Sequence, residues 1–100
     1  MDGESFAVNR ELDRFLESAA LSEATRRAYR VDVEEFCAWL VQRGTPLEDV
    51  DVRTMADYAA ELGRARPRKL APATVARKLA AVRAFLRHAL GAARRVAARG

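Results

Sequence analysis

Positive side chains accumulate in the last third of the chain. The segment from Arg64 to Gly100 contains no acidic residue but eleven cations: Arg64, Arg66, Arg68, Lys69, Arg77, Lys78, Arg83, Arg87, Arg94, Arg95 and Arg99. The first 63 residues have a net charge of −7, so the overall charge of +4 conceals a strong separation of charge along the chain. Arginines around the apolar stripe of a helix are typical of a surface that binds a phosphate backbone. A solvated basic helix explains the same charges.

The chain offers few residues for other kinds of chemistry. Cys37 is the only cysteine and His88 the only histidine, so neither an intrachain disulfide nor a zinc site of cysteines and histidines can form. Tyr29 lies on an apolar stripe, which favours a core position over a nucleophilic role. The sequence contains neither a glycine-rich phosphate loop nor a Ser/His/Asp or Cys/His set. We therefore predict no catalytic residue, no metal and no cofactor.

Length and composition indicate one small globular domain. The chain has 100 residues, of which 50% are hydrophobic, enough for a single core. No apolar run approaches the roughly 18 residues that a membrane span requires, and the acidic N-terminus does not resemble a signal peptide. A cytoplasmic location without membrane association is expected.

Hydrophobic periodicity predicts four helices and no strands. The helices are expected at about residues 7–18, 23–43, 52–62 and 72–90. Their ends are indicated by local signals: two N-caps, a proline for a first turn and three terminal glycines, namely Ser22, Asp51, Pro72, Gly44, Gly63 and Gly91. Residues 1–6 are predicted to be disordered and 7–91 to form the domain. Residues 92–100 are expected to be a basic tail or the start of a linker.

The second and fourth predicted helices each combine an apolar stripe with arginines. At 100° per residue, Arg26, Arg27 and Arg30 form a basic patch beside the stripe of the second helix. An alternative is that Arg30 pairs with Glu34 on a solvated face. In the fourth helix, the side opposite the apolar stripe is predicted to consist of arginines and alanines: Arg77, Ala80, Ala81, Ala84 and Arg87.

These two helices resemble a known family. The second reads Ser22-Glu-Ala-Thr-Arg-Arg-Ala-Tyr29, followed by Asp32, Phe36, Trp39-Leu40 and Arg43-Gly44. The fourth reads Ala73-Thr-Val-Ala-Arg77, then Leu79-Ala-Ala-Val-Arg83 and Phe85. The pattern, over about residues 8–91, is similar to the N-terminal core-binding, SAM-like domain of tyrosine recombinases and phage integrases, closest to the Xer recombinases.

The resemblance implies an all-α, compact orthogonal four-helix bundle that clamps double-stranded DNA through its second and fourth helices during recombination. It also implies that a catalytic domain follows in the parent protein, that this parent oligomerises on DNA, and that the domain alone is a monomer without enzymatic activity. Where the family often has a small polar residue in the middle of the fourth helix, this chain has Ala80, which leaves direct base reading at that position open.

Twelve residues are candidate DNA contacts: Arg26, Arg27, Arg30, Arg64, Arg66, Arg68, Lys69, Thr74, Arg77, Lys78, Arg83 and Arg87. Arg77 is the best candidate for a base contact, because arginine can donate two hydrogen bonds to guanine. The loop cations between the third and fourth helices are expected to contact phosphates. The first and third helices are expected to form an acidic back, and Arg83 is close enough to the apolar stripe to pair with an acid.

Two other functions fit the sequence. One is a transcription regulator in which the second helix reads DNA as part of a helix-turn-helix, although the loop before the fourth helix is longer than the turn of that motif. The other is a helical protein-interaction module whose basic surface meets an acidic partner.

Overall fold

The computed structural model describes residues 3–64 and 69–99, with side chains for 9–64 and 69–91. Within these ranges it contains four α-helices and one short 3-10 helix. The elements are α1 (Gly3–Ser18), α2 (Glu23–Arg43), the 3-10 helix Leu47–Asp49, α3 (Val52–Leu62) and α4 (Pro72–Arg99). The described residues contain no strand, as predicted. Within the same ranges, no helix is both long and apolar enough to cross a membrane.

The ends of α2 are fixed by the residues that the sequence indicated. The Ser22 hydroxyl accepts a hydrogen bond from the backbone N–H of Thr25 at 3.2 Å, which satisfies a donor in the first turn that has no helical partner. At the other end, Gly44 has a φ of 69°, and its N–H donates to the carbonyl groups of the last turn. A side chain is disfavoured at such a φ, so glycine is the residue suited to this stop.

The start of α3 is held by a capping box. The Asp51 carboxylate accepts the backbone N–H of Thr54 at 2.9 Å, and the Thr54 hydroxyl interacts with the Asp51 backbone N–H in return. The backbone N–H and the hydroxyl of Thr54 both donate to the Asp51 carboxylate, and these two hydrogen bonds lower the pKa of Asp51 below its ordinary value. The loop before it contacts the core through the partly buried side chains of Leu47 and Val50.

Two helices extend beyond their predicted limits. The first begins at Gly3 rather than near residue 7. The last continues through Gly91 to Arg99, so the backbone of 92–99 is helical. An internal glycine costs a helix only about 1 kcal/mol relative to alanine, and alanines flank Gly91 on the C-terminal side. The prediction that the fourth helix ends at Gly91 was therefore wrong.

The core lies where α4 packs along α2, with α1 and α3 closing the two sides. Its fully buried members include Phe36 and Val33 of α2 and Phe85 and Val82 of α4. Each such side chain contributes roughly 1.5–3 kcal/mol by leaving water. Phe15 of α1 meets Phe85 edge-on, with ring centroids 5.9 Å apart. This aromatic packing fixes which sides of α2 and α4 remain at the surface.

The contact of α4 with its neighbours is wider than the sequence predicted. Ala81 was expected on the outer side of the helix, but it is completely buried. Lys78 was expected on the same basic surface and is also buried. A helix covered by three others needs a broad apolar face, and alanine at position 81 allows the close approach. The exposed face of α4 is correspondingly narrower.

Candidate nucleic-acid interface

Four charged side chains meet where α2 and α4 pack together. We call them the charge cluster: Asp32 and Glu35 of α2, and Arg77 and Lys78 of α4. Asp32 is completely buried, whereas Glu35 is 49% exposed. The cluster contains two acids and two cations, so it is electrically neutral as a unit. A buried carboxylate is tolerated only when its charge is paired and its oxygens are hydrogen-bonded, and both conditions are met here.

Arg77 donates two parallel hydrogen bonds to the Asp32 carboxylate. Its Nε donates to Oδ2 at 3.0 Å and its Nη2 donates to Oδ1 at 2.9 Å. This bidentate geometry holds the plane of the guanidinium, and the pairing raises the pKa of Arg77 above its ordinary value. The side chain remains 45% exposed. Two of its five N–H groups are used, so three remain for another acceptor.

Lys78 is enclosed in the same cluster. Its Nζ donates to Asp32 Oδ1 at 3.0 Å and to Glu35 Oε2 at 2.8 Å, and only 8% of the side chain is exposed. Burial by itself would lower the pKa of Lys78, but the hydrogen bonds to Glu35 and Asp32 outweigh that effect and raise it. Among the predicted cationic DNA contacts that the structure describes, Lys78 is therefore the one whose charge is most fully satisfied within the protein.

The predicted basic patch of α2 is divided by the fold. Arg26 donates to the backbone carbonyl of Leu16 in α1 and to that of Leu21 in the loop between α1 and α2. Arg30 also reaches α1 and forms an ion pair with Asp13 at 2.8 Å. The alternative Arg30–Glu34 pair does not form. Arg27 remains exposed and forms no ion pair with any described residue.

The remaining candidates differ in exposure. Lys69, Arg83 and Arg87 are exposed and form no ion pair within the described part of the chain. Arg64 is exposed but lies 3.4 Å from Glu61, a surface pair of small energetic value. Thr74 is partly buried in the first turns of α4. Arg66 and Arg68 lie outside the described residues.

The outward side of α4 consists of small and positive residues. Ala73, Ala76, Ala80, Arg83 and Arg87 are all exposed, and at 100° per residue they fall within about 80° of one another. The entire helix contains no acid. Alanine side chains leave the backbone close to the surface, so a negatively charged ligand can approach α4 closely on the N-terminal side of the two arginines.

The residues that suggested other chemistry are explained by packing. Cys37 is partly buried against the core, and burial, followed by the neighbouring charge of Glu34, raises the pKa of its thiol to about 11. His88 packs against Phe15 and lies 3.6 Å from Glu11, on the α1 side of α4. Among the described residues no group of histidine, cysteine and acidic side chains could hold a metal.

Sequence reasoning missed Asp32 as the centre of the charge cluster. The signal was present, because Asp32 lies only about 20° from Thr25 on the helical wheel, at the edge of the apolar stripe. A carboxylate at that position of a buried face requires a cationic partner. Its partners are 45 and 46 residues away in the chain, which no local pattern could indicate.

Comparison with known proteins agrees with this architecture. The family model for the phage integrase N-terminal SAM-like domain matches residues 10–92. The chain is also 41% identical over 83 residues to tyrosine recombinase XerD of Caulobacter vibrioides, an alignment that covers 79% of this chain and 26% of that protein. No solved structure matches.

The chain thus spans about a quarter of the length of the curated relative that it matches. The predicted resemblance to Xer-type recombinases and the all-α fold class are both confirmed. The four helices, their order and the matched range lead to one conclusion: the chain belongs to the family of phage integrase N-terminal SAM-like domains.

Proposed function

We propose that this chain is the DNA-binding, core-binding domain of a tyrosine site-specific recombinase, and that it clamps duplex DNA through α2 and α4. The observation that carries this proposal is the exposed side of α4, on which Arg83 and Arg87 have no carboxylate partner among the described residues. Because their charges are not neutralised by the protein, they remain available to phosphates. The relationship to phage integrases supports DNA as the polyanion that this surface binds.

Within this proposal the predicted contacts have different roles. The exposed, unpaired cations form what we call the outer cation set: Arg27, Lys69, Arg83 and Arg87. These side chains contact phosphates and fix the position of the domain on the duplex. Arg77 presents its remaining N–H groups to a base edge. Arg26 and Arg30 contribute to the positive electrostatic potential of the surface, although their side chains are held by contacts with α1. Lys78 does not contact DNA and neutralises carboxylates within the protein.

The salt dependence of binding measures the number of phosphate contacts. Each phosphate that a cation neutralises releases counterions, so log K falls with log salt at a slope of roughly −0.9 per contact. For about five contacts the slope is roughly −4 to −5, with dissociation constants near the non-specific range of about 10⁻⁴–10⁻⁶ M. A short fluorescent duplex and anisotropy measurements over a series of KCl concentrations give both quantities.

Matched double variants locate the binding surface. Arg83→Ala with Arg87→Ala removes two charges from the outer side of α4 and is expected to make the slope shallower by roughly 2. Arg14→Ala with Arg53→Ala removes the same charge from exposed positions of α1 and α3, and should leave the slope unchanged. Equal slopes for the two double variants would contradict the proposed surface. Absence of binding by the unmodified chain would reject DNA binding altogether.

A further inference from the structure

The charge cluster fixes the orientation of Arg77. DNA binding through positive charge alone does not require this fixed orientation. A polyanion is attracted to any exposed cation, but Arg77 is held in one plane by a completely buried carboxylate. A purely electrostatic contact with a phosphate does not depend on the plane in which the guanidinium is held. It does favour a base edge, where two donors must meet two acceptors at fixed positions.

The free edge of Arg77 has the geometry for such a contact. Nε and one N–H of Nη2 face Asp32, which leaves Nη1 and the second N–H of Nη2 at the outer end of the fork. On the helical wheel Arg77 lies about 80° from Arg87, at the border between the exposed side of α4 and its contact with α2. Its exposed portion is therefore next to the outer cation set.

We propose that Asp32 is a positioning residue, which aims the outer edge of the Arg77 guanidinium at the O6 and N7 acceptors of a guanine in the major groove. This inference rests on the proposed DNA-binding function. Lys78 completes the arrangement, because it offsets the second negative charge of the cluster and remains inside the protein. Asp32 itself does not touch DNA.

For one substitution, charge predicts a change in affinity, whereas positioning predicts a change in base preference. Asp32→Asn removes a negative charge from α2, so electrostatics alone predicts tighter binding. The positioning role predicts weaker discrimination, because an amide no longer accepts both hydrogen bonds from Arg77. Glu34→Gln makes the same change in charge at an exposed position of α2 that does not contact Arg77, and serves as the matched control.

The experiment is selection of bound duplexes from a pool with a randomised central segment, using the full chain and sequencing the bound fraction. The unmodified chain and Glu34→Gln should enrich guanine at one position, by about 5- to 150-fold over the other bases. Asp32→Asn and Arg77→Ala should lose this enrichment at that same position. Circular dichroism confirms that each variant is folded at the temperature of selection.

The double variant Asp32→Asn with Arg77→Ala distinguishes positioning of Arg77 from a merely structural role of Asp32. If Asp32 acts through Arg77, adding Asp32→Asn to Arg77→Ala changes the base preference no further. If Asp32→Asn does not fold, Arg77→Lys provides the second test, since its single ammonium nitrogen keeps the charge but cannot form the two parallel hydrogen bonds with Asp32 and still present a rigid pair of donors to guanine. Guanine enrichment by Arg77→Lys equal to that of the unmodified chain would overturn the proposal. DNA binding by the unmodified chain without any enriched position would also overturn it, while leaving the proposed function intact.

Discussion

The buried carboxylate of Asp32 makes a strong prediction about stability. It accepts three hydrogen bonds from two cations and has no exposed surface. Replacing it with alanine leaves Lys78 almost buried with only Glu35 as a partner, while the exposed part of Arg77 regains water. Breaking a buried ion pair from one side costs about 3–5 kcal/mol. The value for Asp32→Ala should be near the lower limit, about 3 kcal/mol, because Glu35 remains.

That loss is large for a domain of this size. Small domains are stable by about 5–15 kcal/mol, and for a chain of about 100 residues each kcal/mol shifts the melting temperature by about 4–8 °C. Asp32→Ala should therefore lower the melting temperature by about 12–24 °C. The measurement is urea denaturation followed by circular dichroism, supplemented by a thermal melt.

Two companion variants make the reasoning refutable. Glu35→Ala removes the exposed partner of Lys78 and should cost no more than about 1 kcal/mol, as surface pairs do. Asp32→Leu combined with Lys78→Met replaces the buried charges by apolar groups and should recover most of the loss. If Glu35→Ala were as destabilising as Asp32→Ala, or if Asp32→Ala were nearly neutral, the buried pair would not have the role assigned to it.

Three further predictions concern single residues. The Cys37 thiol, with its pKa raised to about 11, should react slowly with iodoacetamide at pH 8 and faster as the pH approaches that value; rapid reaction at pH 8 in the folded protein would contradict its burial. Gly44→Ala should destabilise the domain by about 1–2 kcal/mol in urea denaturation, because the φ of 69° is strained for alanine although the space around the added Cβ is open; a neutral effect would contradict this explanation. Because the folded-state pKa of Lys78 is raised, its pairing stabilises the protein below the unfolded value of 10.5, and this stabilisation is lost as the pH rises through the folded-state pKa. In thermal melts over a series of pH values, Lys78→Met should reduce the loss of stability at alkaline pH. If the loss is unchanged in this variant, groups other than Lys78 cause it.

The limits of helices were predictable wherever a local contact determines them. Ser22 and Asp51 cap helices with their own side chains, Pro72 lacks the N–H that would be unpaired in a first turn, and Gly44 adopts a positive φ. Each of these effects involves residues within one turn of the chain. Gly91 shows the limit of such signals, since a glycine ends a helix only if the residues that follow leave the helical conformation.

The arrangement of charges was less predictable, because it depends on which helices pack together. The sequence placed Arg26, Arg27 and Arg30 in one patch, but contacts with α1 hold Arg26 and Arg30. It placed Arg77 and Lys78 together on a basic surface, but both donate to Asp32 across the α2–α4 contact. Periodicity shows which side of a helix is apolar; it does not show which acid of another helix lies beside a given cation.

The most direct test of the account is a map of the DNA contact on the protein. Titration of a short duplex into the labelled chain, followed by amide chemical shifts in NMR spectra, reports which residues sense the ligand. The account predicts that the largest changes lie on the exposed side of α4, around Ala80, Arg83 and Arg87, and near Arg27 of α2, with little change on the exposed sides of α1 and α3. Changes centred on α1 or α3, with α4 unaffected, would contradict it.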